Sequence, residues 1–142
     1  MTDVTKAADE KTETLQILVY SDDVRIRNDV MAAVGRRVAK DLPEVVFTES
    51  ANWEAAMMKI KETQFDLLIL DAETTKLGGV GLGKMVRDEV DAAMPYIVVI
   101  ARPQDEWLAR VSKPNGIISQ PIDPRELQAK VAEVLHARKA LV

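Results

Sequence analysis

The stretch Phe65-Asp-Leu-Leu-Ile-Leu-Asp71 constrains this chain more than any other. Four apolar residues, Leu67 to Leu70, run without a break and end on an acid. A strand with one wet face would alternate polar and apolar residues. A short, wholly apolar run predicts a central parallel strand covered on both faces. In an open parallel sheet the carboxyl ends of the strands form the site crevice. Asp71 is therefore expected at that rim, where binding or chemistry occurs. On local chemistry alone, an acid there could also cap a loop.

The remaining segments alternate in type. Leu15 to Tyr20 reads as the first strand. Val24 to Lys40 reads as a helix, with Ile26, Val30, Val34 and Val38 recurring every four residues. Val45 to Thr48 is a second strand. A helix follows to about Thr63, capped by Ser50 or Asn52. Its inner face is Trp53, Ala56, Met57 and Ile60. Phe65 to Leu70 is the third strand. A weak helix, about Val80 to Asp88, carries Gly81 and Gly83 inside it, each costing roughly 1 kcal/mol relative to alanine. Pro95 to Ile100 is the fourth strand. Ala101 to Lys113 is poorly patterned, with one short helix around Glu106 to Val111. Gly116 to Ser119 is a short fifth strand. Asp123 and Pro124 open the last helix, whose stripe is Leu127, Val131, Val134 and Leu135. Five strands alternating with five helices, the fourth short or irregular, specify an α/β parallel sheet over residues 15–142. Residues 1–14 are too polar to offset their ordering entropy and are expected to form a disordered tail.

Composition narrows the chemistry. The chain has no cysteine, which excludes a disulfide framework, a zinc–thiolate site and a thiol nucleophile. A formal net charge of −4 argues against a nucleic-acid partner, which would want a basic face. No apolar run approaches the ~20 residues of a membrane span. The N-terminus lacks the apolar core of a signal peptide, so a cytoplasmic protein is expected. The glycines from Gly78 to Gly83 lack the spacing of a phosphate-binding loop. His136 has no second histidine or cysteine with which to share a metal and reads as a surface group.

The order of elements, an acidic turn after the first strand, Asp71 after the third, and the segment Pro121-Ile-Asp-Pro-Arg-Glu-Leu127 together resemble the receiver domain of two-component response regulators. The likeness covers roughly Leu15 to Arg138. It implies a flavodoxin-like, doubly wound sheet in the order 2-1-3-4-5, the order that the chemotaxis receiver illustrates. In that family two acids after the first strand bind Mg²⁺, and an Asp after the third accepts a phosphoryl group. A Thr or Ser ends the fourth strand, and a Lys precedes a proline after the fifth.

Carried over residue by residue, Asp71 matches the phosphoacceptor. Ile17-Leu-Val-Tyr-Ser-Asp-Asp23 puts Ser21 and Asp22 at the acidic pair, while a slip of one residue gives Asp22 and Asp23, the candidate Mg²⁺ ligands. Both acids could instead merely cap the first helix. Ile100 stands at the Thr/Ser position, Gln120 at the lysine, Ile117 at the aromatic switch residue, and Thr75 at the usual loop proline.

The substitutions have physical weight. Phosphoryl transfer is catalysed by positioning and charge neutralisation. Ser21 brings no charge to a hard cation. Gln120 offers a neutral amide in place of an ammonium, and Ile100 has no hydroxyl to follow a phosphoryl oxygen. The expectation is a stand-alone, degenerate receiver that is no enzyme, requires no cofactor and works as a protein-binding module. The chain ends after the last helix, so no output domain is expected. Trp107, Leu108 and Val111 are candidate partner contacts, with Trp107 packed on its own sheet as the alternative. Stand-alone receivers that accompany respiratory NADH dehydrogenase assemblies are similar, which implies a large protein complex as partner. The rival expectation is a functional regulator, phosphorylated on Asp71 by a histidine kinase, with Mg²⁺ held by Asp22 and Asp23.

Overall fold

The computed structural model describes residues 13–141, and the side chains of residues 13–138. The elements in chain order are β1 (Thr14–Tyr20), α1 (Val24–Val34), β2 (Glu44–Ser50), α2 (Trp53–Glu62), β3 (Leu67–Asp71), α3 (Gly79–Glu89), β4 (Tyr96–Ile100), a 3₁₀ turn (Pro103–Asp105), α4 (Glu106–Arg110), β5 (Gly116–Ser119) and α5 (Pro124–Leu141). The tail expected over residues 1–14 lies outside the described residues except for Glu13 and Thr14, and Thr14 already belongs to β1.

All strands are parallel and ordered β2-β1-β3-β4-β5. This is the flavodoxin-like order that the resemblance implies. The unbroken apolar runs follow from burial on both faces. On one face Ile17, Val19, Leu67, Ile69, Ile97, Val99 and Ile118 pack with Val30 and Val34 of α1 and with Leu127, Val131 and Leu135 of α5. On the other, Leu18, Tyr20, Leu68, Leu70, Tyr96, Val98 and Ile100 pack with Ala56, Met57 and Ile60 of α2, Leu82 and Val86 of α3, and Ala109 of α4. Alternate residues of each strand thus serve opposite layers, as the two-residue period of a strand requires.

One element is shorter than its pattern predicts. The apolar stripe suggested a helix to Lys40, but α1 ends at Val34. Gly35 takes φ +73°, and its N–H returns to Met31 O at 2.9 Å. That conformation favours glycine and halts the helix. Val38 still packs against the core, from a loop.

The glycines of α3 have a packing cause. A Cβ at Gly83 would drive into the ring of Tyr96, whose other contacts include Arg87, its guanidinium 4.2 Å from the ring centroid. A Cβ at Gly81 would meet only the tip of Leu77. We expect Gly83→Ala to destabilise the domain by about 1–3 kcal/mol through overpacking, despite its better helix propensity. Gly81→Ala should be neutral or stabilising by up to about 1 kcal/mol. Chemical denaturation of the two variants checks the contrast.

Candidate functional site

The register of β1 on β3 pairs Tyr20 with Leu70. The residues that follow, Ser21 and Asp71, therefore emerge side by side at the carboxyl edge of the sheet. The Ser21 hydroxyl donates to Asp71 Oδ2 at 2.7 Å. The Glu73 N–H donates to Asp71 Oδ1 at 2.8 Å. The Thr74 hydroxyl donates to the Asp71 carbonyl at 3.2 Å. Ser21 Oγ in turn accepts the Asp23 N–H at 3.0 Å. Asp71 is 4% exposed and Ser21 is fully buried. Each carboxylate oxygen thus has a neutral donor, and among the described residues no Lys or Arg forms an ion pair with Asp71.

The two neighbouring acids are committed elsewhere. Asp22 Oδ2 accepts from the Thr75 hydroxyl at 2.9 Å and the Thr75 N–H at 3.2 Å, which ties the β3–α3 loop to the end of β1. Asp23 is the N-cap of α1, accepting from the Arg25 N–H at 2.9 Å and from its guanidinium. Hydrogen bonds from the Arg25 side chain, then its backbone, hold the Asp23 carboxyl below the usual carboxylate range. Arg27 braces the turn from below, donating to Ser21 O at 2.7 Å and pairing with Glu49 at 3.0 Å.

The switch positions sit as follows. Ile100 is buried in the layer of Tyr20 and Leu70. Ile117 is partly buried against the same layer. Gln120 donates its N–H to Ile100 O at 2.9 Å and lines a cleft on the α1 side with Asp29, Ala33 and Ile122. Its peptide bond to Pro121 is cis. Trp107, Leu108 and Val111 stand on the surface, so Trp107 is not tucked against its own sheet. His136 is exposed and contacts Asp41 through Nε2 at 2.9 Å.

The fold family implies Mg²⁺ near Asp71, and these residues supply a poorer donor set than that family's paired acids. A hard divalent cation wants several oxygen donors, at least one or two of them carboxylates. Here Ser21 is neutral and directs its proton at Asp71, Asp22 is bound to the loop, and Asp23 is paired with Arg25. Among the described residues no group of three or more His, Cys, Asp or Glu could hold a metal ion.

Three site residues escaped the sequence reading. Tyr20 looked like strand filling, yet its hydroxyl reaches Leu77 O at 2.6 Å and so also fastens the β3–α3 loop. Thr75 was marked only as a missing proline, and its hydroxyl is the latch. Arg27 was not among the candidate residues. No pattern in one sequence signals contacts such as Tyr20 with Leu77 or Asp22 with Thr75, which span more than fifty residues.

The Mycobacterium tuberculosis protein described as an uncharacterized response regulatory protein is 38% identical over 128 residues, 90% of this chain and 96% of the relative. A CheY-like response regulator receiver domain from Methanospirillum hungatei superposes with a TM-score of 0.74 at 19% identity, over 92% of this chain and all of that one. NtrX from Brucella abortus gives 0.77 at 18% identity, over 90% of this chain and 28% of that one. No protein-family model matches the chain. The sheet order, the acid ending β3 and these relatives define the class: this chain belongs to the response regulators and has the fold of their receiver domain. No described helix is long and apolar enough to cross a membrane.

Tyr20 gives a pH signature. Burial first, then the charges of Asp22, Glu54 and Asp71, push its phenol from 10.0 up to about 12. A raised pKa favours the neutral form in the fold. Its stabilising contribution is complete below the unfolded value and is lost as pH rises from about 10 to about 12. In an alkaline absorbance titration, the difference between wild type and Tyr20→Phe should therefore develop near the upper of those values. Ser21→Ala should cost about 1–3 kcal/mol in denaturation, because it strips a donor from a buried carboxylate.

Proposed function

We propose that this receiver is a phosphorylation-independent binding module and not an enzyme. The observation that carries the proposal is the closed network around Asp71. Its Oδ2 is taken by Ser21 and its Oδ1 by the Glu73 amide, both neutral donors at the edge where a phosphoryl group would have to arrive. A transferred phosphoryl group brings negative charge that must be neutralised. Gln120 and Ile100 supply neither a cation nor a hydroxyl there, and Asp22 is spent on Thr75.

The loop after β3 is fastened by hydrogen bonds to Tyr20 and Asp22. The partner is then a protein that reads a fixed surface. A cytoplasmic protein docked on a larger assembly, of the kind formed by respiratory NADH dehydrogenase, fits that role, and no Mg²⁺ is required.

The rival is a regulator phosphorylated on Asp71 by a histidine kinase with Mg²⁺, and the retained acid favours it. The decisive test is incubation with Mg²⁺ and a small phosphodonor, read by intact-protein mass. No acylphosphate should form. One that disappears in Asp71→Asn establishes the rival. Replacing Ser21 by Asp, Ile100 by Thr and Gln120 by Lys together should create a measurable acylphosphate on Asp71. Asp71→Asn alone should leave partner affinity within about 0.5 kcal/mol of wild type, because charge at the crevice is not the switch.

A further inference from the structure

The sheet has a second cleft, at the edge remote from Asp71. It lies under the amino ends of β1 and β3 and measures about 530 Å³. Small-molecule sites run from roughly 300 to 1,000 Å³. Four segments meet there: the start of β1, the connection from α1 to β2, the residue before β3, and the end of α5. Asp66 marks its edge, five residues and roughly 17 Å of strand before Asp71.

The floor is apolar. Leu42 and Leu135 are 2% and 3% exposed, and Leu15 packs on the same core layer. The walls are held by hydrogen bonds that do not involve a ligand. Arg37 Nη1 donates to Leu42 O at 2.9 Å and pins the connection from α1 to β2. The Gln16 N–H donates to Asp66 Oδ2 at 2.7 Å, and the Asp66 N–H returns to Gln16 O at 2.8 Å. His136 Nε2 stands 3.0 and 2.9 Å from the two oxygens of Asp41 and joins α5 to the opposite wall. A cleft tied at three points keeps its shape without an occupant, which lowers the ordering cost of binding one.

The charges divide by what they already contact. Glu13, Asp41 and Asp66 line the cleft with Arg37, Lys40 and Arg138, so it is formally neutral. Asp41 faces His136, Asp66 holds the Gln16 amide, and Glu13 is exposed at the rim. Among the described residues none of the three cations forms an ion pair. Arg37 has committed one N–H to a carbonyl, and its other donors remain. The unspent capacity of the cleft is therefore in cationic donors above an apolar floor. An arginine fork fits a carboxylate in two parallel hydrogen bonds.

We propose that this cleft binds a small monocarboxylate with an apolar body, its head held by Arg138 and Lys40 and its body on Leu15, Leu42 and Leu135. The formal neutrality of the lining selects a single negative charge over a phosphate monoester, which carries nearly two at neutral pH. The engaged state of Asp41 and Asp66 leaves little to receive an ammonium, so an amino acid is not selected. The site goes beyond the binding-module reading. It shares no residue with the Asp71 network, so failure of either leaves the other standing.

The test uses the full chain, followed by backbone amide shifts during titration. The probe is octanoate. Acetate has the same head without the body, octanol the same body without the charge, and octyl phosphate a second charge. Octanoate should bind at least tenfold tighter than acetate or octanol, and tighter than octyl phosphate. Shifts should concentrate at residues 15–16, 37–43, 66 and 135–138. Lys40→Gln/Arg138→Gln should weaken octanoate at least tenfold and leave octanol unchanged. Both positions lie at the protein surface, and an unchanged amide spectrum outside the cleft shows that the variant is folded. Equal binding of octanoate and octanol, or no loss in the variant, would overturn the role of the cations. Tighter binding of octyl phosphate would overturn the monocarboxylate. No binding, or shifts centred on Trp107, Leu108 and Val111, would overturn the site itself.

Discussion

Everything in this molecule depends on a strand that water does not reach. Residues Leu67 to Asp71 are all buried, with neighbours on both sides and a helical layer on each face. A strand so placed cannot slip register by one residue without moving its whole apolar set into the wrong layer. Its end is consequently fixed in space. That is what makes the geometry at Asp71 a property of the fold and not of a mobile loop. Parallel pairing then fixes β1 against it, so the identity of residue 21 decides the chemistry beside the acid.

A carboxylate at such an edge has few stable arrangements. Left alone and buried it would be costly. Surrounded by other carboxylates it would need a cation to hold them together. Serine at position 21 gives a third solution. A hydroxyl carries its own proton to the acid, satisfies one oxygen, and needs no ion. The Glu73 amide satisfies the other. Asp22 is thereby released from any shared cation and is free to bind Thr75. One small substitution at the strand end thus accounts for the disposition of both neighbours, and Tyr20 adds a second fastening of the same loop.

The sheet, its order and the identity of the acid were legible because they follow from periodicity. Apolar runs of four to six residues, separated by capped amphipathic segments, leave few topologies open. The end of α1 was misplaced because Val38 continued the stripe of Ile26, Val30 and Val34, while the one residue that stops the helix, Gly35, acts through its backbone. The glycines of α3 read as weakness in sequence, yet Gly83 is there to admit the Tyr96 ring. The neutral side chains Ser21, Ile100 and Gln120 were legible at the positions where the resemblance expects charged or hydroxyl groups. What replaced them was not, because a threonine or tyrosine hydroxyl has no directional signature until the loop that carries it is placed.

The surface at the β5 edge of the sheet completes the picture. A receiver that signals by moving needs its charge site and its surface to be coupled. Coupling requires two states that a ligand can favour unequally. Here both Asp71 carboxylate oxygens accept hydrogen bonds from neutral protein donors, and under the proposed function the surface beyond β4 keeps one state. A surface that does not switch can afford to display a permanent apolar knob, because its burial is decided by partner concentration alone. Under the proposed function the outward set of Trp107, Leu108 and Val111 and the inward neutrality around Asp71 follow from one condition. Under the proposed function the crevice does not report a phosphoryl group, affinity at the outer face is constant, and an amphipathic helix with its apolar side to solvent is tolerable.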